Sequence, residues 1–476
     1  MKNRIHCFDA DEFANKDAVE IASLIANKEV QSHEVVAATI ERAKQVEPHI
    51  HAIVTDRFDA ALEESKQPQE GFFSGVPLFF KDMVAVQGLS TYYGSEAFAN
   101  AKPATKSDAC VQQFMAQGFV NMGMSSMPEF GFTCSTEFLG SQEDTRNPWN
   151  TNYSVGGSSG GAAALVAAGV VPIAHAADGG GSIRIPAACC GLVGLKPSRD
   201  RLLYSELIKT QVVKISTDGV LTRSVRDTAR FYAEAEKYYQ NKKLPPMGLV
   251  NTPNQKKLRI GVISVGLKGT QLGSVMAQEL QKTMAQLESL GHEVVPIDMP
   301  FEDQAMDDFI NLWAMSGYVT ANLGKLAFGK HYLPKKLTNV TRGLADHYKK
   351  SVFKTPFFVS RLKKTSRTYN KMMLESKFDL LLSPTLSHTT PQIGHLAMDL
   401  SFEDLFPKVT QWACFTPFAN ATGAPSISLP MGYDQKNNTP IGMLLWGNLG
   451  EDKLLLEVAL QIEEAFPWRK ITNSIS

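Results

Sequence analysis

The sequence lacks the features that mark membrane proteins, nucleic-acid-binding proteins and disulfide-stabilised secreted folds. Its 48 basic and 48 acidic residues give a formal net charge of zero, so no overall basic surface attracts nucleic acid or anionic lipid. No uninterrupted apolar stretch reaches the length of a membrane span, and residues 1–9 lack the apolar segment of a secretory signal. We therefore expect a neutral cytoplasmic protein with neither a nucleic-acid partner nor a membrane partner.

Cysteine is scarce, and its six positions show no pairing. They are scattered without the spacing of metal ligands, and the adjacent Cys189 and Cys190 cannot form an ordinary structural disulfide with each other. In a chain of this length we expect the cysteines to be reduced, buried and equivalent to small hydrophobic residues.

What is present is ordinary globular composition: 476 residues, of which 43% are apolar, can bury a large core. Short apolar runs such as 170–174, 258–263 and 380–382 alternate with helical patterns, which indicates an α/β sheet covered on both faces. Residues from about 300 to 375 are more helical and predict an excursion over one end of the sheet. Since no repeat or linker is visible, residues 1–476 are predicted to form one domain.

Two serine-bearing glycine clusters are the strongest functional signal. Residues 156–161 read Gly-Gly-Ser-Ser-Gly-Gly, and residues 178–184 read Asp-Gly-Gly-Gly-Ser-Ile-Arg. Glycine is entropically costly, so such clusters mark places where the backbone turns sharply or approaches a ligand. Ser182 is therefore the candidate nucleophile. Beside its hydroxyl, an oxyanion nest can be built from four backbone N–H groups, those of Gly179, Gly180, Gly181 and Ser182.

A general base for such a serine is harder to find among the histidines than among the lysines. Of the ten histidines, only His175 lies near either cluster, in an apolar strand-like setting that suits a core role equally well. Lys81 follows the apolar residues Leu-Phe-Phe, and burial disfavours the ammonium form, so a buried lysine can act as a base. A lysine that relays through one serine to another would place Ser158 between Lys81 and Ser182. For the lysine taken alone, an ion pair with Asp82 is the alternative.

These features together resemble the amidase signature family, the Ser–cis-Ser–Lys hydrolases. The resemblance covers nearly the whole chain, and its segments are 75–82, 127–131, 147–149, 156–161, 178–197, 383–385 and 417–430, with the core motifs at about 75–200. It implies Lys81 as the catalytic lysine, Ser158 as the bridging cis-peptide serine and Ser182 as the nucleophile. Its oxyanion hole falls on the backbone of residues 179–182. Supporting positions in the motif fall on Ser159, Asp178 and Arg184.

The resemblance also implies a fold and a reaction. The expected fold is a single α/β/α domain around a large twisted mixed β-sheet with helices on both faces. The expected reaction is acylation of Ser182 by an amide, release of the amine and hydrolysis of the acyl-enzyme by water, with no metal or organic cofactor. A homodimer is common among such proteins, so a homodimeric partner is an open expectation here.

Departures from the family pattern bear on the substrate. Residues 177–182 read Ala-Asp-Gly-Gly-Gly-Ser, where many members read Ser-Asp-Thr-Gly-Gly-Ser. This glycine-rich version resembles the branch around 6-aminohexanoate cyclic-dimer hydrolase and related aliphatic or aryl amidases. Because no basic cluster accompanies the motifs to hold an anion, we expect a small, largely uncharged amide as substrate. Candidate acyl-pocket residues are Tyr92, Phe130 and Trp412, for each of which ordinary core packing is the alternative.

Three other functions compete with this hypothesis. The glutaminase-type subunit of a tRNA-dependent amidotransferase shares the fold, although such subunits commonly carry Arg-Gln-Pro where this chain has Arg184-Ile185-Pro186. A catalytically inactive binding protein of the same fold is the second. The third is an α/β-hydrolase elbow, since residues 156–160 match G-x-S-x-G, but the polar residues 151–154 before it are a poor strand.

Overall fold

The computed structural model describes residues 3–140 and 142–473, in which β-strands and helices alternate along much of the chain. The strands are β1 Ile53–Asp56, β2 Pro77–Lys81, β3 Val120–Ser125, β4 Ile173–Asp178, β5 Val193–Lys196, β6 Thr217–Thr222, β7 Arg259–Ile263, β8 Glu293–Ile297, β9 Leu380–Pro384, β10 Ser426–Asp434 and β11 Thr439–Trp446. The α-helices are α1 Ala18–Ala26, α2 Ser32–Ile50, α3 Phe58–Glu64, α4 Ala109–Met115, α5 Gly160–Ala167, α6 Arg184–Cys190, α7 Glu206–Lys209, α8 Val225–Tyr238, α9 Ser274–Ser289, α10 Asp303–Tyr318, α11 Gly324–Phe328, α12 Asn339–Ser351, α13 Thr355–Ser376, α14 Phe402–Trp412, α15 Pro417–Thr422 and α16 Asp452–Ala465.

The strands form two sheets, and the larger one is the mixed sheet that the sequence predicts. Its eight strands lie in the order β4-β6-β5-β10-β11-β9-β7-β8. Strand β7 pairs in parallel with β8 and β9, whereas the pairs from β4 to β9 are antiparallel. A smaller sheet, β1-β3-β2, carries Lys81 at the end of β2, so the lysine does not lie on the large sheet.

Helices cover both faces of the large sheet, as alternating strand residues show. Leu380 and Leu382 of β9 belong to a hydrophobic cluster that includes residues of α8, α9 and α16. The intervening Leu381 belongs to another cluster, shared with residues of α13 and α15. Because successive strand residues point to opposite faces, each face is packed against its own set of helices. The α/β fold expected from the sequence is therefore confirmed.

Strand β4 is the element that positions the second glycine cluster. The sequence predicts a strand over 170–174, but β4 runs over Ile173–Asp178, and Val170 and Val171 belong to the turn that follows α5. All six residues of β4 are buried. The strand therefore brings His175 into the protein interior and ends directly at the glycine turn that carries Ser182.

Residues 303–376, in the region that the sequence predicts to be more helical, are largely helical apart from residues 329–333 and 337–338. They comprise α10 to α13 and a π-helix over Val319–Leu323. Phe309 of α10 and Leu344 of α12 belong to the same hydrophobic cluster as Ile185 of α6, which follows the second glycine cluster. These helices are therefore packed against the elements that carry the sequence motifs. Across residues 3–140 and 142–473, none of the helices combines the length and the apolar composition needed to cross a bilayer.

Candidate active site

Lys81 is buried at the end of β2, and its amine lies among hydroxyl and carbonyl groups. The Nζ atom lies 2.7 Å from Ser158 Oγ, 3.0 Å from Ser159 Oγ and 3.4 Å from the Ala177 carbonyl oxygen. Burial lowers the pKa of Lys81 to about 7, although the negative charges of Asp178 and Asp218 favour the ammonium form. A substantial fraction of Lys81 is therefore uncharged near neutral pH.

The two serine clusters meet beside this lysine. The peptide bond between Gly157 and Ser158 is cis, and the Ser159 N–H donates to the Ser182 carbonyl oxygen at 3.3 Å. Gly131 approaches from the other side with φ of +69°, and a Cβ on it would lie 2.7 Å from Ser158 Oγ. The structure thus brings Lys81, Ser158 and Ser182 to the wall of one cavity.

The glycine turn before Ser182 offers three of the four backbone donors that the sequence predicts for this cavity. The Gly181 N–H donates to Asp178 Oδ1 at 2.7 Å, so it is not available to an oxyanion. Within the described residues, the N–H groups of Gly179, Gly180 and Ser182 have no hydrogen-bond partner, and these three residues line the cavity. The candidate oxyanion hole therefore consists of three N–H groups rather than four.

Asp178 and Arg184 form a buried ion pair that holds the glycine turn in place. The Asp178 carboxylate accepts hydrogen bonds from the N–H groups of Gly181 and Ile183 and from the Arg184 guanidinium. Burial alone would raise the pKa of Asp178, but the adjacent Arg184 charge and hydrogen bonds hold it well below its usual range. Arg184 also donates to Asn420 Oδ1 and to the Thr416 carbonyl oxygen. The buried ion pair therefore stays charged and fixes the backbone around Ser182.

Replacement of Gly181 by alanine tests how closely this turn is packed. A Cβ at Gly181 would lie 2.3 Å from Thr416 Oγ1, and the φ of +132° suits glycine. We expect kcat/KM for amide hydrolysis to fall by roughly 10²-fold, since displacing a reacting group by about 1 Å has that effect. Gly273→Ala is the matched control, because a Cβ there meets its nearest atom at an ordinary 3.4 Å. Equal activity of the two variants would contradict this account of the turn.

His175 is not placed to act as the base. Its Nδ1 accepts a hydrogen bond from the Lys81 backbone N–H at 3.1 Å, so this nitrogen carries no proton. Its Nε2 lies 3.1 Å from Asp218 Oδ1 and must therefore be the protonated, donating nitrogen. Both ring nitrogens are engaged in the interior, and neither faces a serine hydroxyl. The sequence allowed either a core role or a functional role for His175. In the structure its ring accepts a hydrogen bond from the Lys81 backbone rather than from a serine hydroxyl.

A cavity of about 510 Å³ opens in front of the serines. Its walls are mostly apolar. Besides Phe130, which lies between β3 and β4, they come largely from the segment between β5 and β6, from α10 and α11, and from the end of α14. These residues include Val213, Ile215, Met306, Phe309, Ile310, Leu312, Trp313, Phe328, Val409 and Ala413. Among the described residues of its lining, Lys81 is the only basic residue, and Asp178 and Glu206 are the only acidic ones. The cavity therefore suits an uncharged, largely apolar molecule.

Two of the three predicted pocket residues lie elsewhere. Phe130 lines the cavity, but Tyr92 and Trp412 are absent from the described residues of its wall. Trp412 is fully buried and donates its indole N–H to the His388 carbonyl oxygen at 3.1 Å, so it is a core residue. Tyr93 takes the place predicted for Tyr92, which lies in a turn where the Tyr92 N–H donates to Asp82 Oδ1. Of the three nominated residues, only Phe130 therefore lines this cavity.

Several known proteins resemble this chain along nearly its whole length. The chain matches the Amidase family over residues 34–456. It is 40% identical over 474 residues to AmiC of Mycobacterium tuberculosis, and 98% of each chain is covered. It is 31% identical over 483 residues to the 6-aminohexanoate-cyclic-dimer hydrolase of Paenarthrobacter ureafaciens, and 95% of each chain is covered.

A solved structure of 6-aminohexanoate cyclic dimer hydrolase complexed with substrate matches with a TM-score of 0.88 at 30% identity, covering 97% of this chain and 99% of that chain. The chain belongs to the amidase family. It is an amidohydrolase that acts on carbon–nitrogen bonds other than peptide bonds.

Proposed function

We propose that the protein hydrolyses small, largely uncharged amides through an acyl-enzyme on Ser182, with Lys81 as general base and Ser158 as the relay. The observation that carries this proposal is the hydrogen-bond pattern of the buried Lys81 amine. The Ser159 hydroxyl donates to the Ala177 carbonyl oxygen at 3.2 Å, so its oxygen is left to accept from Nζ. The Ala177 carbonyl oxygen also accepts from Nζ.

A neutral amine has two hydrogens and one lone pair, and both hydrogens have acceptors in Ser159 and Ala177. The lone pair is thus left for the remaining neighbour, the Ser158 hydroxyl, 2.7 Å away. Ser158 can donate its proton to Lys81 and take the proton of the Ser182 hydroxyl as that oxygen attacks the amide carbonyl carbon. This arrangement supports lysine rather than histidine as the base.

The remaining steps follow from the same groups. The carbonyl oxygen of the substrate becomes an oxyanion, which the N–H groups of Gly179, Gly180 and Ser182 can bind. The tetrahedral intermediate breaks its carbon–nitrogen bond, and the leaving amine takes the proton back from Lys81 through Ser158. Water then loses a proton along the same path, attacks the acyl carbon and releases the acid, which restores the Ser182 hydroxyl.

The cavity and one relative support the substrate class. The described lining carries no arginine or histidine, and the Asp178 charge within it is paired with Arg184. An anionic substrate would therefore find no free cation apart from the catalytic lysine. A relative that is 31% identical is named as a 6-aminohexanoate-cyclic-dimer hydrolase, in keeping with an uncharged amide as substrate.

An amide panel tests the proposal directly. Wild-type protein is incubated with aliphatic, aryl and cyclic amides, each paired with an analogue of similar size that carries a carboxylate, and amine release is measured. We expect kcat/KM to be higher for the uncharged member of each pair by roughly tenfold or more, because a buried unpaired charge is unfavourable. The proposed substrate class fails if the carboxylates are preferred, and amide hydrolysis itself fails if no amine is released.

A second candidate function has its own support. The chain is 29% identical over 480 residues to one component of the glutamyl-tRNA(Gln) amidotransferase from Halothermothrix orenii. A glutaminase role predicts ammonia release from L-glutamine and copurification of a tRNA-binding partner. Glutamine carries two charges at neutral pH, so adding it to the panel separates this role from the one proposed above.

A further inference from the structure

We infer that His175 and Asp218 are positioning residues for Lys81: the imidazole holds the Lys81 peptide in place, and the Asp218 carboxylate sets how readily the lysine gives up its proton. This inference rests on the proposed role of Lys81 as general base. Neither side chain faces the cavity, and neither touches the reacting atoms.

The first part follows from the way two sheets meet. The Asp82 N–H donates to the Ser125 carbonyl oxygen of β3. Successive N–H groups of an extended chain point in opposite directions, so the Lys81 N–H points away from β3, towards β4. Strands β2 and β4 belong to different sheets and form no ladder with each other. The His175 imidazole supplies the missing acceptor at 3.1 Å.

The ring of His175 is fixed on its other sides as well. Phe80 and Phe114 pack against it with ring centroids 5.4 Å and 5.0 Å away. Asp218 of β6 accepts from its Nε2 at 3.1 Å. In the β4–β6 ladder Asp218 lies opposite Ala177 and diagonal to His175, so both side chains lie on the same face of the sheet. Asp218, His175 and the Lys81 peptide thus form one continuous buried chain.

The role of Asp218 follows from its carboxylate charge, which no neighbouring cation balances among the described residues. Asp218 Oδ2 is buried, and within the described residues it has no hydrogen-bond partner. His175 is neutral, so it does not cancel the carboxylate charge. The other carboxylate acting on Lys81 is Asp178, whose charge is paired with Arg184 at 2.8 Å. Among the described residues that act on the charge of Lys81, Asp218 is therefore the uncompensated carboxylate, and it favours the ammonium form.

The other groups around this pair do not supply an equivalent charge. The Asp82 carboxylate is directed to the Tyr92 and Gly94 N–H groups. Ser125 of β3 donates to the Phe80 carbonyl oxygen, Arg42 of α2 is paired with Asp11, and α5 carries no titratable residue. The charge of Asp218 also acts on Asp108, Cys110 and Tyr232 and contributes to raising the pKa of each.

Asp218→Asn is the main test, because asparagine keeps an oxygen acceptor for His175 and removes the negative charge. The readout is the pH profile of kcat/KM for an amide that the wild type hydrolyses. Activity rises as Lys81 loses its proton, and removing a negative charge makes that loss easier. We expect the acid limb to move to lower pH by roughly half a unit or more. Asp308→Asn is the matched control, since it removes a buried carboxylate that is paired with Arg361 and is not among the charges that shift the pKa of Lys81.

A histidine series tests the positioning role. His175→Leu removes the acceptor for the Lys81 N–H, and we expect kcat to fall by roughly tenfold or more with KM changed less than about twofold. His175→Asn can place its carbonyl oxygen near the former Nδ1 and should recover part of the loss. Thermal unfolding of each variant separates these effects from loss of the folded state.

The outcomes distinguish this inference from the proposed function. An acid limb that stays in place in folded Asp218→Asn, or a kcat that stays at the wild-type value in His175→Leu, overturns the inference and leaves Lys81 as the base. If Asp218→Asn does not fold, the histidine series decides. Wild-type turnover after removal of the Lys81 amine would instead overturn the proposed function.

Discussion

Replacement of Ser182 by alanine is expected to lower kcat/KM for amide hydrolysis by at least about 10³-fold, because it removes the atom that would form the acyl-enzyme. The backbone donors of Gly179 and Gly180 and the cavity walls remain, so substrate binding should change little. The measurement is amine release by the purified variant, beside covalent labelling with a fluorophosphonate, which reacts with activated serine hydroxyls. We expect the wild type to gain one phosphonyl group and the variant to gain none.

Ser216→Ala provides the matched control for this experiment. Ser216 also lines the cavity, but its hydroxyl oxygen accepts a hydrogen bond from Gln211 Nε2 at 2.8 Å. Among the described residues, it makes no hydrogen bond to Lys81 or Ser158. Labelling should persist in that variant. Labelling of Ser182→Ala at Ser158 would show that the nucleophile has been assigned to the wrong serine. A wild type that neither labels nor releases amine would favour the inactive binding protein considered from the sequence.

The glycine clusters allowed much of the candidate site to be predicted, because the residues that carry its chemistry lie close together in short segments of the sequence. Ser158, Ser159, Asp178, Ser182 and Arg184 lie within such segments, and the structure brings them together. Only their connection to Lys81 depends on distant parts of the chain, and there the family resemblance supplied what spacing alone does not. The alternation of apolar runs with helical patterns predicted an α/β sheet covered on both faces for the same local reason, whereas its mixed character was implied by the family resemblance.

Residues that reach the site from distant elements were missed. Asp218 stands at the start of β6, which the sequence pattern did not predict as a strand, and it meets His175 only through the β4–β6 ladder. Asn420 and Thr416 contact Arg184 from more than 200 residues away along the chain. A buried arginine requires acceptors, so Arg184 signals that such partners exist, but not where they lie in the sequence.

Differences between the predicted and the observed site have equally specific causes. Tyr92 and Tyr93 both pack against the cluster around Phe98, but Tyr93 has a positive φ and lines the cavity, whereas Tyr92 does not line it. This difference depends on a backbone conformation that composition does not reveal. Gly181 was counted as an oxyanion donor because it lies in the glycine run. In the structure, the Asp178 carboxylate before the run accepts its N–H. A side chain that bonds the backbone three residues later is a local turn signal that this prediction overlooked.

Removing the Lys81 amine tests the mechanism most directly. Lys81→Met keeps an apolar chain of similar length in the buried site and leaves Ser158 without a base. We expect kcat/KM to fall by at least about 10³-fold, on the scale of losing a general base together with its relay. The wild type should show activity that rises with pH through an inflection near the Lys81 pKa of about 7. The residual activity of the variant should lack that rise.

Lys196→Met is the control that makes this result specific. Lys196 is equally buried, and burial followed by the nearby Arg184 charge lowers its pKa to about 7 as well. Its Nζ donates to the Pro197 carbonyl oxygen at 2.7 Å and contacts no serine hydroxyl among the described residues. Two buried lysines thus titrate in the same range, but only one is hydrogen-bonded to the serine relay. The inflection should therefore persist in folded Lys196→Met. If it disappeared in Lys196→Met and persisted in Lys81→Met, the base would be Lys196 and the assignment of Lys81 would be wrong.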